Sequence, residues 1–287
     1  MIQHNSALCG FLVNVGCGKR FHSAWKNFDL HSNSPAVTAC DLTRGIPLVD
    51  ETASVVYTAA VLEHIRRRDV PGFLAECHRV LKSNGWIRVA VPDFRKQVQA
   101  YLEALRRLET GDDSAEFDVE WMILEMVDQV GRDKCGGGMA AFLSKKEPFN
   151  DNFVIDRIGE EGRELRKALK GKELSCDLDF QKSRIHNIRC GRIGRMVVQW
   201  LLRSRNIERD LLALEVGRFR LNSGEVHQWV YDRHSLTKML AAAGFTDLRV
   251  LQHGESRIAG WADYYLEVDR NGLVEKPDLL IVEGRKA

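Results

Sequence analysis

Val13-Asn14-Val15-Gly16-Cys17-Gly18 decides how this 287-residue chain is read. Phe11 to Val15 is a short continuous apolar run that stops at glycine, the pattern of a strand buried on both faces. Gly16 and Gly18 then supply a tight turn in which backbone can approach a ligand closely. Working outward, Asn27-Phe28-Asp29-Leu30 and Val37 to Leu42 are further short strands, each with an aspartate near its C-terminal end. Val55-Val56-Tyr57 leads towards Val61 and Leu62 as a fourth. Asp69 to Leu81 has helical spacing, with Phe73, Leu74, Cys77, Val80 and Leu81 on one side, and Asn84-Gly85 is expected to end it. Trp86 to Val91 is a buried fifth strand closed by Pro92. Strands alternating with helices imply an α/β fold with a mostly parallel sheet.

The pattern changes over 94–224, where helical periodicity is broken by glycine and charge. Gln97 to Leu108, Phe117 to Val130 and Ile193 to Leu214 are expected helices, and Gly136-Gly137-Gly138 a loop. Strand and helix signals return at the end: a helix from Arg233 to Ala243 stopped by Gly244, then strands at Leu248 to Gln252 and Leu279 to Glu283. The expected organisation is one α/β domain from 1–93 and 225–287, with 94–224 a helical insertion between strands 5 and 6 that caps the acceptor.

Three residues at successive strand ends point to a nucleotide-like cofactor. Gly16 to Gly18 forms the turn. Asp29 can accept both hydroxyls of an adenosine ribose, and Asp41 beside Leu42 suits an adenine amino group and ring face. Each aspartate alone is equally a turn or helix cap. Spacing selects among cofactors. A dinucleotide site wants a third glycine and a full helix before the acid, roughly 20 residues on. Here Lys19-Arg20-Phe21 follows, and Asp29 comes only eleven residues after Gly18. A pyrophosphate would lose its helix N-terminus, whereas a sulfonium cofactor carries no phosphate to bind there.

These residues, with Ile46-Pro47-Leu48, Val61-Leu62-Glu63-His64, Glu76 to Lys82 and Val91-Pro92-Asp93, resemble class I methyltransferases of the type 11 kind. The likeness is greatest to a branch found beside polysaccharide-biosynthesis genes. It covers about residues 10–95 and resumes at His227 to Asp232, Ala243-Gly244-Phe245 and Lys276-Pro277-Asp278. The resemblance implies a Rossmann-like, mostly parallel seven-stranded sheet with an antiparallel last strand, and S-adenosyl-L-methionine over the C-terminal strand edges. It marks Asn14, Gly16, Cys17, Gly18, Asp29, Asp41, Leu42 and Glu63 as cofactor residues. Asn14 stands where many members carry an acid, and the first two helices are abbreviated.

Methyl transfer to a hydroxyl needs alignment and removal of a proton near the strand ends. His64, Asp93 and His227 are the candidates, with Tyr231 and Asp232 nearby; a cap is the competing role for Asp93 and a structural one for His227. No metal site is expected. The acceptor implied is a sugar or glycan precursor; a small metabolite, a lipid, a protein or a catalytically inactive binding module are the alternatives. A nicotinamide oxidoreductase is disfavoured by the glycine spacing.

Net charge is only +2, so composition gives no reason to expect nucleic acid as a partner. The stretch 184–220 is locally basic, with nine arginines against Glu208, Asp210 and Glu215. Its amphipathic helix is expected to pack a core face, with the acceptor or a peripheral membrane surface as rival roles for its basic side. Seven cysteines with no Cys-x-x-Cys pair and no targeting signal lead to the expectation of a cytoplasmic protein.

Overall fold

The computed structural model describes residues 10–32, 34–145, 150–170 and 205–287. Seven strands form one sheet: β1 (Phe11–Val15), β2 (Lys26–Asp29), β3 (Val37–Ala39), β4 (Ala53–Ala59), β5 (Leu81–Pro92), β6 (Phe245–Leu251) and β7 (Leu279–Lys286). Their spatial order is β3-β2-β1-β4-β5-β7-β6. The first five run parallel, and β7 is antiparallel to both of its neighbours. This is the expected mixed sheet. The order reverses between β1 and β4, which places a cleft at the C-terminal edge there.

One face is covered by α1 (Val70–Val80) and α7 (Arg233–Ala242), the second helix numbered after those of the insertion. Val70, Phe73, Leu74, Cys77 and Val80 recur at helical spacing and pack with Leu236 and Leu240 over Val13, Val56 and Val89. Asp232 starts α7 with a capping box, its carboxylate accepting from the Ser235 amide at 2.7 Å. On the opposite face Trp25, Ile258, Trp261 and Leu266, all from connections, bury Val55 and Tyr57. Trp261 meets Tyr57 edge-on at 4.9 Å and Trp25 at 5.9 Å. The aromatics occupy ground for which β1–β2 and β2–β3 supply no helix among the described residues.

Between β5 and β6 stand α2 (Phe94–Glu109), α3 (Ala115–Gly131), α4 (Gly137–Ser144), α5 (Asp151–Leu169) and α6 (Arg205–Asn222). Trp121, Met122, Phe142, Leu143 and Val154 give the insertion its own core. The expected helix at 193–214 is described only from Arg205 onward, so the arginines at 184–203 and the Ile193, Val197, Trp200 and Leu201 face lie outside the described residues. Among the described residues no helix is long and apolar enough to cross a membrane.

Three local expectations are corrected. The third strand ends at Ala39, and Asp41 instead caps a 3-10 turn over Leu42–Arg44. α1 ends at Val80, because Leu81 already pairs with Ala53 in the sheet; Asn84 takes a positive φ within the strand that follows. Only Gly136 of the triple glycine is outside a helix: Gly137 and Gly138 begin α4, the Gly138 amide donating to Asp128. Gly159 breaks α5 at φ 64°, ψ −149°, a conformation open to glycine, and an added Cβ there would lie 2.3 Å from the Glu275 carbonyl oxygen. The insertion thus meets the β6–β7 connection backbone to backbone.

That connection is held by Arg88 of β5, which is wholly buried. Its guanidinium donates to Glu267 at 2.8 and 2.5 Å, to Glu283 of β7 at 2.6 Å and to the Glu255 carbonyl at 2.9 Å. Removing one partner of a buried ion cluster leaves the other charges uncompensated. Arg88→Met is expected to lower unfolding free energy by roughly 3–5 kcal/mol, read as a shift in the urea midpoint. A change under about 0.5 kcal/mol would show that the cluster contributes nothing to holding the connection.

Candidate active site

A cleft opens over the C-terminal edge of β1 and β4 and encloses ≈ 830 Å³. Its floor is the glycine turn: Asn14, Gly16, Cys17 and Gly18 all line it, joined by Tyr57, Ala59 and Ala60 of the next strand. The turn is fixed from below. The amides of Gly16 and Cys17 donate to the Phe28 carbonyl at 2.8 and 3.1 Å. The buried Asn14 amide donates to the Arg20 carbonyl at 3.0 Å, bracing the far side of the loop. An amide does here what an acid cannot, since that partner is an acceptor. Burial pushes the Cys17 thiol up to about 11, so it lines the cleft as a neutral group.

Asp29 lies where β2 ends, and its carboxylate accepts from the Gly18 amide at 2.7 Å and from His31 at 3.3 Å. A carboxylate has about four acceptor sites, so two remain for hydroxyls. The bond ties Asp29 to the glycine turn, although Asp29 is not itself among the residues that line the cleft. Asp41 and Leu42 do not line the cleft. Asp41 accepts from the Thr43 amide and hydroxyl, which hold its carboxyl below the ordinary range. In this arrangement Asp41 is a cap.

The roof comes from the insertion and from the β6–β7 connection. Glu161, Glu164, Leu165 and Ala168 of α5 line the cleft, opposite His253, Leu266, Glu267, Glu275 and Lys276. Lys276 bonds Glu161 at 2.7 Å, and Arg20 pairs with Glu275 across the mouth. The sequence reading missed these roof residues, because nothing local in a charged helix says which sheet edge it covers; Lys276-Pro277-Asp278 was the one available signal.

Beside the cleft a second group assembles. Leu62–His64 forms a 3-10 turn after β4, and the segment returning from the insertion runs against it. The Gln228 amide donates to the Glu63 carbonyl at 2.5 Å, and the Tyr231 hydroxyl to the Leu62 carbonyl at 3.4 Å. His227 is thereby brought onto His64, the rings edge-on with centroids 4.8 Å apart. Glu63 shares a small cavity with His227, Trp229, Gln97 and Glu125, and it does not line the main cleft. Burial lifts its carboxyl to about 8 and lowers His64 and His227 to about 4 and 3, so both imidazoles are neutral near pH 7. Asp93 does not join them: its carboxylate caps α2, accepting from Arg95 at 3.1 Å and Lys96 at 3.4 Å.

The two glycines of the turn are not equivalent. Gly16 has φ +73°, and an added Cβ would stand 2.2 Å from Cγ2 of Val61; Gly18 has φ +51° with nothing within 4 Å. Gly16→Ala must move the β4 exit as well as strain the backbone, whereas Gly18→Ala carries the strain of about 1–2 kcal/mol alone. Calorimetry with S-adenosylmethionine is expected to show the larger loss of affinity, at least 10-fold, for Gly16→Ala. The reverse ranking would mean that ligand atoms press against Gly18.

Residues 9–136 match a family model described as a hypothetical methyltransferase. Over 103 residues the chain is 36% identical to ribosomal RNA-processing protein 8 of Mus musculus and 35% identical to that of Rattus norvegicus. Each alignment takes in 34% of this chain, and the chain spans 22% of the length of these relatives. Similar solved structures include a SAM-dependent methyltransferase from Thermotoga maritima, at 11% identity over 97% of this chain and 83% of that one, with a TM-score of 0.36. Another, from Archaeoglobus fulgidus, is 9% identical over 97% and 86%, with a TM-score of 0.38. The segment matched by the methyltransferase family model is the one that carries β1 to β5, the glycine turn, Asp29 and the Glu63–His64 turn.

Proposed function

We propose that this protein transfers a methyl group from S-adenosylmethionine to a hydroxyl of a sugar or glycan precursor, in the cytoplasm. The observation that carries the transferase reading is the cleft itself. It is a cavity of small-ligand size at the strand switch point, floored by a glycine turn that is bonded directly to Asp29. The residues present fit the cofactor: the turn's backbone lies open at Gly18, and Asp29 keeps acceptor capacity for ribose hydroxyls. Asn14, Gly16 and Cys17 would floor the bound molecule, with Tyr57 beside it.

When bound, S-adenosylmethionine supplies an electrophilic methyl on a sulfonium, whose carbon–sulfur bond breaks as an oxygen–carbon bond forms. The chain's own contribution is alignment and exclusion of water, for which α5 as a roof is suited. The residues 1–93 and 225–287 act as the cofactor domain and 94–224 as the acceptor cap. The hydroxyl also gives up a proton, for which Glu63, His64 and His227, grouped outside the lining of the main cleft, are the candidate assisting groups.

A second acceptor reading is RNA, whose ribose 2′-hydroxyl is also a sugar hydroxyl. It is favoured by the match to proteins named for ribosomal RNA processing. Incubation with methyl-labelled cofactor, glycan precursors and total RNA separates the two. Label is expected in the glycan fraction; label in RNA alone would move the acceptor, and cofactor binding without any transfer would indicate a binding module. Asp29→Ala is expected to weaken cofactor binding at least 10-fold in calorimetry. Unaltered binding would remove Asp29 from the cofactor site.

A further inference from the structure

Glu63, His64 and His227 each offer one ligand atom, and these three atoms lie within 4.8 Å of one another. We propose that this cluster is a binding site for one divalent first-row transition cation of the zinc and manganese kind.

The Glu63 side chain carries the inference. The residue is 2% exposed, yet neither carboxylate oxygen has a hydrogen-bond partner among the described residues. A buried carboxylate is retained when something compensates it. The basic groups nearby are already engaged: Lys276 with Glu161, and Arg132 with Asp128 and Glu225. They leave Glu63 without a cation of its own, and their charges are offset by their own acids. Protonation of Glu63 is the rival way to relieve it, but that would not account for two imidazoles gathered at the same point.

The histidines are disposed as ligands. His64 Nδ1 lies 3.3 Å from the Val226 carbonyl, so this nitrogen carries the proton and Nε2 keeps its lone pair. Ligating histidines commonly donate their other ring N–H to a backbone carbonyl in this way. Two imidazoles and a carboxylate are a donor set for borderline ions such as Zn²⁺, with remaining positions open to an exogenous oxygen. Beside Glu63 and His227 is a cavity of ≈ 10 Å³, about the space of one water-sized sphere. Bonds of about 2.0–2.2 Å place neighbouring ligand atoms roughly 3–3.5 Å apart. The cluster must therefore contract by about 1.5 Å, which rotation of the Glu63 and His227 side chains can supply.

Such an ion would bind an acceptor oxygen and ease loss of its proton to solvent. That role rests on the hydroxyl-methylation reading; the ion site itself does not. The two are separated by titrating the chelator-treated full chain with Zn²⁺ alone in calorimetry, then with Co²⁺ to read its visible absorption. One tight ion per chain is expected, with the Co²⁺ spectrum lacking thiolate charge-transfer bands. Glu63→Gln and His227→Gln should each weaken that event at least 10-fold, with circular dichroism and melting temperature verifying that both variants are folded. Failure of the wild-type chain to bind an ion, or an isotherm unchanged in both folded variants, overturns the proposal. S-adenosylmethionine binding measured on the same chelated wild-type sample judges the cofactor reading separately.

Discussion

Arg88 stands on the middle of β5 with no solvent contact, and one guanidinium holds three stretches of chain. Glu283 faces it in register on β7, while Glu267 and the Glu255 carbonyl belong to the β6–β7 connection. Arg257 adds a second positive charge, its backbone amide and guanidinium both directed at Glu283, so two arginines face two carboxylates. Charges removed from water are tolerated when geometry is good and lone pairs are filled, and Arg is suited to that because its fork pairs bidentately. Trp261 covers the guanidinium at 4.5 Å, tying the aromatic face of the sheet to the same point. The cluster converts a long connection, whose one helical element among the described residues is the 3-10 turn Trp261–Tyr264, into a fixed wall.

The main cleft depends on that wall. Glu267 and Leu266 line the cleft directly, and Glu275 and Lys276 reach its mouth from the same connection. Lys276 then receives Glu161 of α5, and the Glu275 carbonyl sits where only a glycine at 159 leaves room. The roof therefore rests on the wall, and the wall on Arg88. A chain of packed contacts of this kind locates the insertion although α2 to α5 enclose a core of their own. The abbreviated connections around β2 fit the same scheme. With no helix after β1, the glycine turn is free to lie open beneath α5, and Asn14 and Asp29 stiffen it in place of helical hydrogen bonds.

The sheet was legible because its signals are local. Apolar runs ending in glycine or aspartate fix the parallel strands, and Gly16 with Asp29 marks the cleft's floor through a spacing of eleven residues. Asp41 misled for a related reason. An aspartate after a strand serves equally as ligand or cap, and the hydroxyl two positions on, Thr43, decides in favour of the cap. Arg88 gave no signal at all. In the run Trp86 to Val91 it reads as an outward-facing polar position, and its partners lie 179 and 195 residues away. Long-range ion pairs have no period, so no pattern within a strand can announce them.

The Glu63–His64–His227 group stands between these cases. Each member was visible as a separate candidate, yet their meeting depends on the return of the chain after the insertion. Two backbone facts bring it about. The Gln228 and Trp229 amides both donate to the Glu63 carbonyl, and Phe94 donates to the Tyr231 carbonyl beside the end of β5. Residues 226–231 are thus laid across the exits of β4 and β5 by main-chain bonds that any side chains would permit. What the side chains add is chemistry alone, since neither Glu63 oxygen is spent on holding the segment. A carboxylate freed from structural duty, on backbone that is fixed without it, is the usual economy of a functional site, where fixed scaffolding leaves side chains available to a ligand.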